Sequence, residues 1–232
     1  MLYTSLLQAT PAVAANPDPI APVKEMSFWD LCSQGGILMI PIALLLLFSI
    51  YYFIERWIVI RRANHTDPNF MRRIKDYILE GEIESAQNLC KKTDTCSSRL
   101  IAKGISRIGR PMNDVLVAIE NTGNIEIAKL SKGLPWLATT AAGAPMLGFL
   151  GTVIGMVQAF YSIANSGSSA DIATFSSGIY TALVTTVAGL IVGVIALFAY
   201  NTLVAKINNV MTSLEGSTME FMDLLNLPAE NS

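Results

Sequence analysis

The sequence predicts an all-α, polytopic membrane protein with three transmembrane helices and a helical cytoplasmic domain. Three observations carry that prediction. Of 232 residues, 52% are hydrophobic and only 15% charged, against roughly 25% charged in an ordinary soluble domain. No charge falls between Asp30 and Glu55, between Lys132 and Asp171, or between Asp171 and Lys206, and each gap exceeds the ~20 apolar residues that cross a bilayer core. Within the gaps the apolar residues surround the helix instead of alternating with period two, which excludes the short strands of a β-barrel. A net charge of −2 with scattered acids excludes a generally basic nucleic-acid binder, which needs clustered positive charge against phosphates.

The elements follow in order. Residues 1–30 are read as an external, proline-containing arm. Leu6-Leu7 and Ala12-Val13-Ala14-Ala15 faintly suggest a signal peptide, but the positive n-region is missing and the apolar stretch is short. Ser27-Phe28-Trp29-Asp30-Leu31 fits a short interfacial helix before the first span. The first transmembrane helix occupies residues 31–60, with Trp29, Trp57, Tyr51 and Tyr52 near its ends as interfacial aromatics. Arg56, beside Glu55 at the inner end, is expected to reach towards the cytoplasm on its apolar stem. Arg56, Trp57 and Trp29 are therefore the expected membrane-interface anchors.

Residues 61–135 form the cytoplasmic helical domain. Fourteen of the sixteen basic residues lie from Arg56 to Lys132, and the positive-inside rule places this segment and the tail, 206–232, in the cytoplasm. Thr66-Asp67-Pro68 offers an N-cap and a proline at the first helical position, followed by Phe70, Ile74, Tyr77 and Ile78 on one face up to Gly81. Helices are also expected over Ile83 to Lys92 and Ser97 to Ile108, and Gly109-Arg110-Pro111 is a break. From Asn113 a long helix follows that could run on towards the second span. Its amphipathic stripes need cover, from self-packing or from a neighbouring subunit.

The second span, 136–164, and the third, 172–205, are joined by an external turn at 165–171. The N-terminus is then periplasmic. Ala141, Ala144, Gly148, Thr152, Gly155, Ala159 and Ser162 recur every three or four residues on the second helix, and Gly178, Ala182, Thr185, Gly189, Gly193 and Ala196 do so on the third. Gly151 with Gly155, and Gly189 with Gly193, are Gly-xxx-Gly pairs that let backbones approach closely in lipid. Pro145 deprives the second span of one hydrogen bond and is expected to kink it. These stripes read either as helix-to-helix glue or as a shared pore, and the hydroxyls Thr139, Thr140, Thr152, Thr181, Thr185 and Thr186 at membrane depth favour the pore. They can bond back to their own helix or face a wet cavity.

Other side chains say less. Cys90 and Cys96 lack CxxC spacing and Cys32 has no mate, so all three read as structural. His65 reads as a solvated loop histidine, having no second ligand at metal spacing. Paired carboxylates, a nucleophile with its base and a phosphate loop are all missing, so neither an enzyme nor a cofactor is expected.

Two segments carry a family resemblance. Ala144-Pro145-Met146-Leu147-Gly148-Phe149-Leu150-Gly151-Thr152-Val153-Ile154-Gly155-Met156 resembles the A-P-hydrophobic-hydrophobic-G-hydrophobic-hydrophobic-G-T-V-x-G-hydrophobic signature of the MotA/TolQ/ExbB proton-channel family. Gly178-Ile179-Tyr180-Thr181-Ala182-Leu183-Val184-Thr185-Thr186-Val187-Ala188-Gly189-Leu190 is similar to its G-I-x-x-A-L-hydrophobic-x-T-x-x-G-L pattern. With the three spans, the likeness extends from about Met26 to Leu227 and is closest to the ExbB branch.

The resemblance implies a bacterial inner-membrane proton channel or stator that forms a pentamer around the transmembrane helices of an ExbD dimer. Proton flow would drive a TonB-like protein, which energises outer-membrane import. It also implies that Thr152 and Thr186 line the proton path, with Thr181 and Thr185 beside them. Gly148, Gly151, Gly155, Gly178, Gly189, Gly193 and Pro145 would serve helix packing. One departure stands out: many members carry a glutamate where this chain has Thr181. Spans two and three then hold no carboxylate, and a proton relay through lipid normally uses one, so the ExbD-like partner is expected to supply it. A TolQ-like stator and a non-conducting scaffold are the alternatives.

Overall fold

In the computed structural model, residues 35–63, 67, 69–166 and 172–226 are described. Seven α-helices account for the secondary structure among them: α1 (Met39–Ala63), α2 (Phe70–Leu79), α3 (Ile83–Thr93), α4 (Cys96–Ile105), α5 (Met112–Ser131), α6 (Leu134–Ser166) and α7 (Ile172–Asn226). The predicted all-helical class holds. Three of the helices are long and apolar enough to cross a membrane: Met39–Ala63, Leu134–Asn165 and Phe175–Asn226. The arm at 1–30 with its interfacial helix, Trp29, Cys32, His65, the Thr66 and Pro68 start signals and most of the 165–171 turn lie outside the described residues.

Local chemistry explains most boundaries. α1 begins after Gly36, whose φ of +66° suits a residue without a side chain; Pro41 sits in its first turn, where a missing N–H costs least. Thr95 caps α4 with a full capping box, its hydroxyl accepting from Ser98 N–H while the Ser98 hydroxyl accepts from Thr95 N–H. Asp94, at φ +43°, ends α3 in the left-handed region that aspartate tolerates.

Two boundaries differ from the sequence reading. α5 does not run on into the second span: the chain breaks at Lys132–Gly133, with Gly133 at φ +93°. The third helix does not stop at the membrane. α7 continues to Asn226 as one helix of 55 residues, about 80 Å long at ~1.5 Å per residue. Beyond Lys206 it contains no proline, and Leu203, Ile207, Val210, Leu214 and Phe221 fall on one buried face. That face is the spine of the larger core. Around it pack Phe70 and Ile74 of α2, Ala86 and Cys90 of α3, Leu100, Ile101 and Ile105 of α4, and Val115 and Ile119 of α5. The loop helices thus cover their stripes largely against one another and against α7. A small second cluster, Ile42, Ala144 and Val192, joins the three apolar helices.

Candidate functional site: the α6–α7 seam

Small side chains set the seam. Ala144, Gly148, Gly151, Gly155 and Ala159 of α6 are all buried, as are Ala182, Thr185, Gly189 and Gly193 of α7. The contact leaves no room for a methyl group. A Cβ on Gly189 would lie 2.5 Å from the Ala144 carbonyl oxygen and 2.9 Å from Gly148 Cα, and one on Gly155 would lie 2.7 Å from Ala182 Cβ. Backbones this close bring many weak dispersion contacts together, the chief attraction between helices in lipid. Pro145 does not interrupt α6, which is continuous across it. Its ring fills the hollow over Gly193, where a Cβ would meet Pro145 Cγ at 2.5 Å. Most of the small-residue stripe therefore packs within the chain.

The hydroxyls separate into distinct roles. Thr139 and Thr140 donate to the carbonyls of Pro135 and Trp136 one turn back, at 2.8 and 3.0 Å. Thr185, expected beside the proton path, is sealed against Gly151 within the chain at 1% exposure and donates to the Ala182 carbonyl at 2.8 Å. Thr186 bridges the two helices through its side chain, donating to the Gly148 carbonyl at 2.9 Å. Thr152 stands at the open edge, donating to the Phe149 carbonyl at 2.6 Å. It heads a groove of about 450 Å³ lined otherwise by Val153, Met156, Val157 and Phe160. Thr181 is half-buried, its methyl 3.6 Å from where a Cβ on Gly36 would stand. No side-chain hydrogen bond among the described residues joins the four threonines to one another.

At the charged end of the spans lies a polar junction that sequence reasoning missed. Arg56 is buried: it pairs with Glu55 at 2.6 Å and donates to the Lys129 carbonyl near the end of α5 at 3.2 Å. It was expected to extend into water, yet that last-turn carbonyl needs a partner and Arg56 reaches it. Glu126, 4% exposed, receives Arg99 and Lys129 at 2.7 Å each, and Arg99 also holds Asp94 at 2.7 Å. Burial would raise the Glu126 pKa, but the bonds from Arg99 and Lys129 outweigh it and hold the carboxyl below its ordinary value. Only the Glu126–Lys129 spacing of three was visible in advance; Arg99 is distant in sequence. Trp57 carries Lys206 over its ring, with Nζ 4.1 Å from the centroid.

Comparison with known proteins agrees with this architecture. The profile of the MotA/TolQ/ExbB proton channel family matches residues 92–216, which take in α4, α5, the seam and most of α7. A protein of Synechocystis sp. named ExbB-like 1 is 29% identical over 192 residues, covering 82% of this chain and 75% of its own. The Tol-Pal system protein TolQ of Haemophilus influenzae is 25% identical over 225 residues, covering 88% of this chain and 96% of its own. The biopolymer transport protein ExbB of Neisseria gonorrhoeae is 39% identical over 94 residues, covering 40% and 42%.

Proposed function

The chain belongs to the MotA/TolQ/ExbB proton channel family and is a multi-pass membrane protein; from that premise we propose that it is the ring-forming channel subunit of an ExbB–ExbD–TonB-type motor. It sits in a bacterial inner membrane, N-terminus periplasmic and C-terminus cytoplasmic. Five copies surround an ExbD-like dimer and use proton motive force to energise a TonB-like protein for outer-membrane import. Each elementary charge that crosses releases about 2.3 kcal/mol per 100 mV of potential.

One observation carries the reading. α6 from Leu134 to Ser166 holds no Asp, Glu, His, Lys or Arg, and α7 has none before Lys206, while hydroxyls remain at the seam's edges. A proton that crosses needs a carboxylate from elsewhere, and the ExbD-like partner supplies it. Thr152, on the open groove, is the hydroxyl placed to meet an incoming apolar helix. Thr186 positions the groove wall by bridging to Gly148, Thr181 borders the path at the position where the family resemblance implies a glutamate in many members, and Thr185 keeps the wall closed. As the partner's carboxyl gains and loses its proton, the partner steps round inside the ring.

The test is proton-motive-force-dependent iron-chelate uptake by cells carrying Thr152→Ala or Thr186→Val, each checked for normal assembly. Strong loss is expected, and full uptake by both variants would refute the assignment. Thr181→Glu should shift the pH dependence if it borders the path and block assembly if it faces lipid. A TolQ-like role in the cell envelope is the second reading, favoured by the near full-length TolQ similarity; deletion would then impair envelope integrity and leave chelate uptake intact. A non-conducting scaffold would leave proton permeability unchanged on co-expression with an ExbD-like protein.

A further inference from the structure

The basic residues near the end of α1 fall into two sets. Arg56, Arg99 and Lys129 are matched internally by Glu55, Asp94 and Glu126. Arg61 and Arg62, in the last turn of α1, are exposed, and Lys206 on the neighbouring α7 is half-exposed. Among the described residues no carboxylate lies within ion-pair distance of these three. Lys206 is held over Trp57, a contact that fixes an ammonium through the ring's quadrupole without neutralising it. Arg61 stands one turn beyond Trp57 on the same face. Three uncompensated cations therefore gather where two apolar helices leave the membrane.

The surface leading to them is apolar. Ile50, Ile54 and Ile58 follow one another at four-residue spacing on α1 and are 43%, 53% and 46% exposed, and Arg62 is the next position in that row. A hydrocarbon track thus ends on a cluster of cations beside an indole. Free phosphate would use only the cations; a molecule with an acyl chain and an anionic head uses both.

We infer that this junction is a selective site for an anionic phospholipid, with the acyl chain along Ile50, Ile54 and Ile58 and the phosphate among Arg61, Arg62 and Lys206. The site is independent of proton conduction and of the identity of any protein partner. It ties α1 to α7 through a shared lipid at the base of the seam, beside the Arg56 junction.

The probe is Trp57 fluorescence in full-length protein carrying Trp29→Phe and Trp136→Phe, reconstituted into phosphatidylcholine vesicles. Brominated phosphatidylglycerol is compared with brominated phosphatidylcholine as quencher. Preferential quenching by phosphatidylglycerol is expected, and the preference should fall about fivefold for each cation neutralised in Arg61→Gln, Arg62→Gln and Lys206→Gln. Lys206→Arg should retain it, which separates charge at the site from loss of fold. Arg72→Gln/Arg73→Gln, exposed on α2, should leave it unchanged. Equal quenching by the two lipids in the unaltered cluster would overturn the site, as would a preference that survives all three Gln changes. Competition by inorganic phosphate beyond that of chloride at equal ionic strength would assign the cations to a free anion and also overturn it.

Discussion

Thr186 and Thr139 are the same residue type at membrane depth, yet a single hydrogen bond separates their roles. The Thr186 hydroxyl reaches Gly148 on the other helix, whereas that of Thr139 returns to its own. Thr186→Val, nearly equal in shape, should cost about 1 kcal/mol of α6–α7 association. Thr139→Val should cost much less of that association, because its bond stays within α6. Unfolding by detergent titration measures both. The cysteines give a second prediction at this scale. Burial raises the Cys96 thiol and pushes that of Cys90 up to about 11, so at about pH 8 roughly a thousandth of Cys90 is thiolate, the reactive form. Maleimide labelling of both should be slow in the folded protein and rise sharply on denaturation; rapid native labelling would show that these side chains are not enclosed.

At the scale of elements, the seam and the long α7 answer to different forces. Gly189 faces backbone, which cannot yield, while Gly143 has nothing within 4 Å of a Cβ. Gly189→Leu should therefore separate α6 from α7 and prevent assembly, and Gly143→Ala should assemble normally, as read by crosslinking between cysteines placed on the two helices. The far end of α7 depends on side-chain burial instead. Phe221 is fully buried and lies against Gly104 of α4, where a Cβ would meet its ring at 2.5 Å. Phe221→Ala should destabilise the helical bundle by about 3–5 kcal/mol, lowering its thermal midpoint by circular dichroism while the seam crosslinks persist.

Across the whole molecule, the Arg56 junction joins the first span to the end of α5, and the Glu126 cluster joins α4 to α5. Glu126 has a folded pKa below its unfolded value of about 4.5. Its stabilising share is therefore complete above that value and is lost as pH falls through the lowered folded pKa. The bundle should lose stability on that acid limb, and Glu126→Gln should flatten the limb while lowering stability near neutrality, where Arg99 keeps Asp94 but loses its buried ionised partner and Lys129 loses its own; thermal melts across pH record both. The three spans, the bundle helices and the small-residue stripes were legible in the sequence because charge gaps and three-to-four-residue periods are local properties. Thr185 and Arg56 were not legible. A helical period says which residues share a face, not whether that face meets its own neighbour, lipid or a cavity. In the same way, nothing local to residues 206–226 says that their apolar face will be covered by α2, α4 and α5, which makes one 55-residue helix of what read as a span and a tail. The sequence alone determined that this chain crosses a membrane and that its second and third spans carry no carboxylate of their own, since composition decides what lipid accepts. Only the tertiary structure decided which hydroxyls the seam encloses and which it leaves open, because close approach between distant backbones depends on where the helices cross.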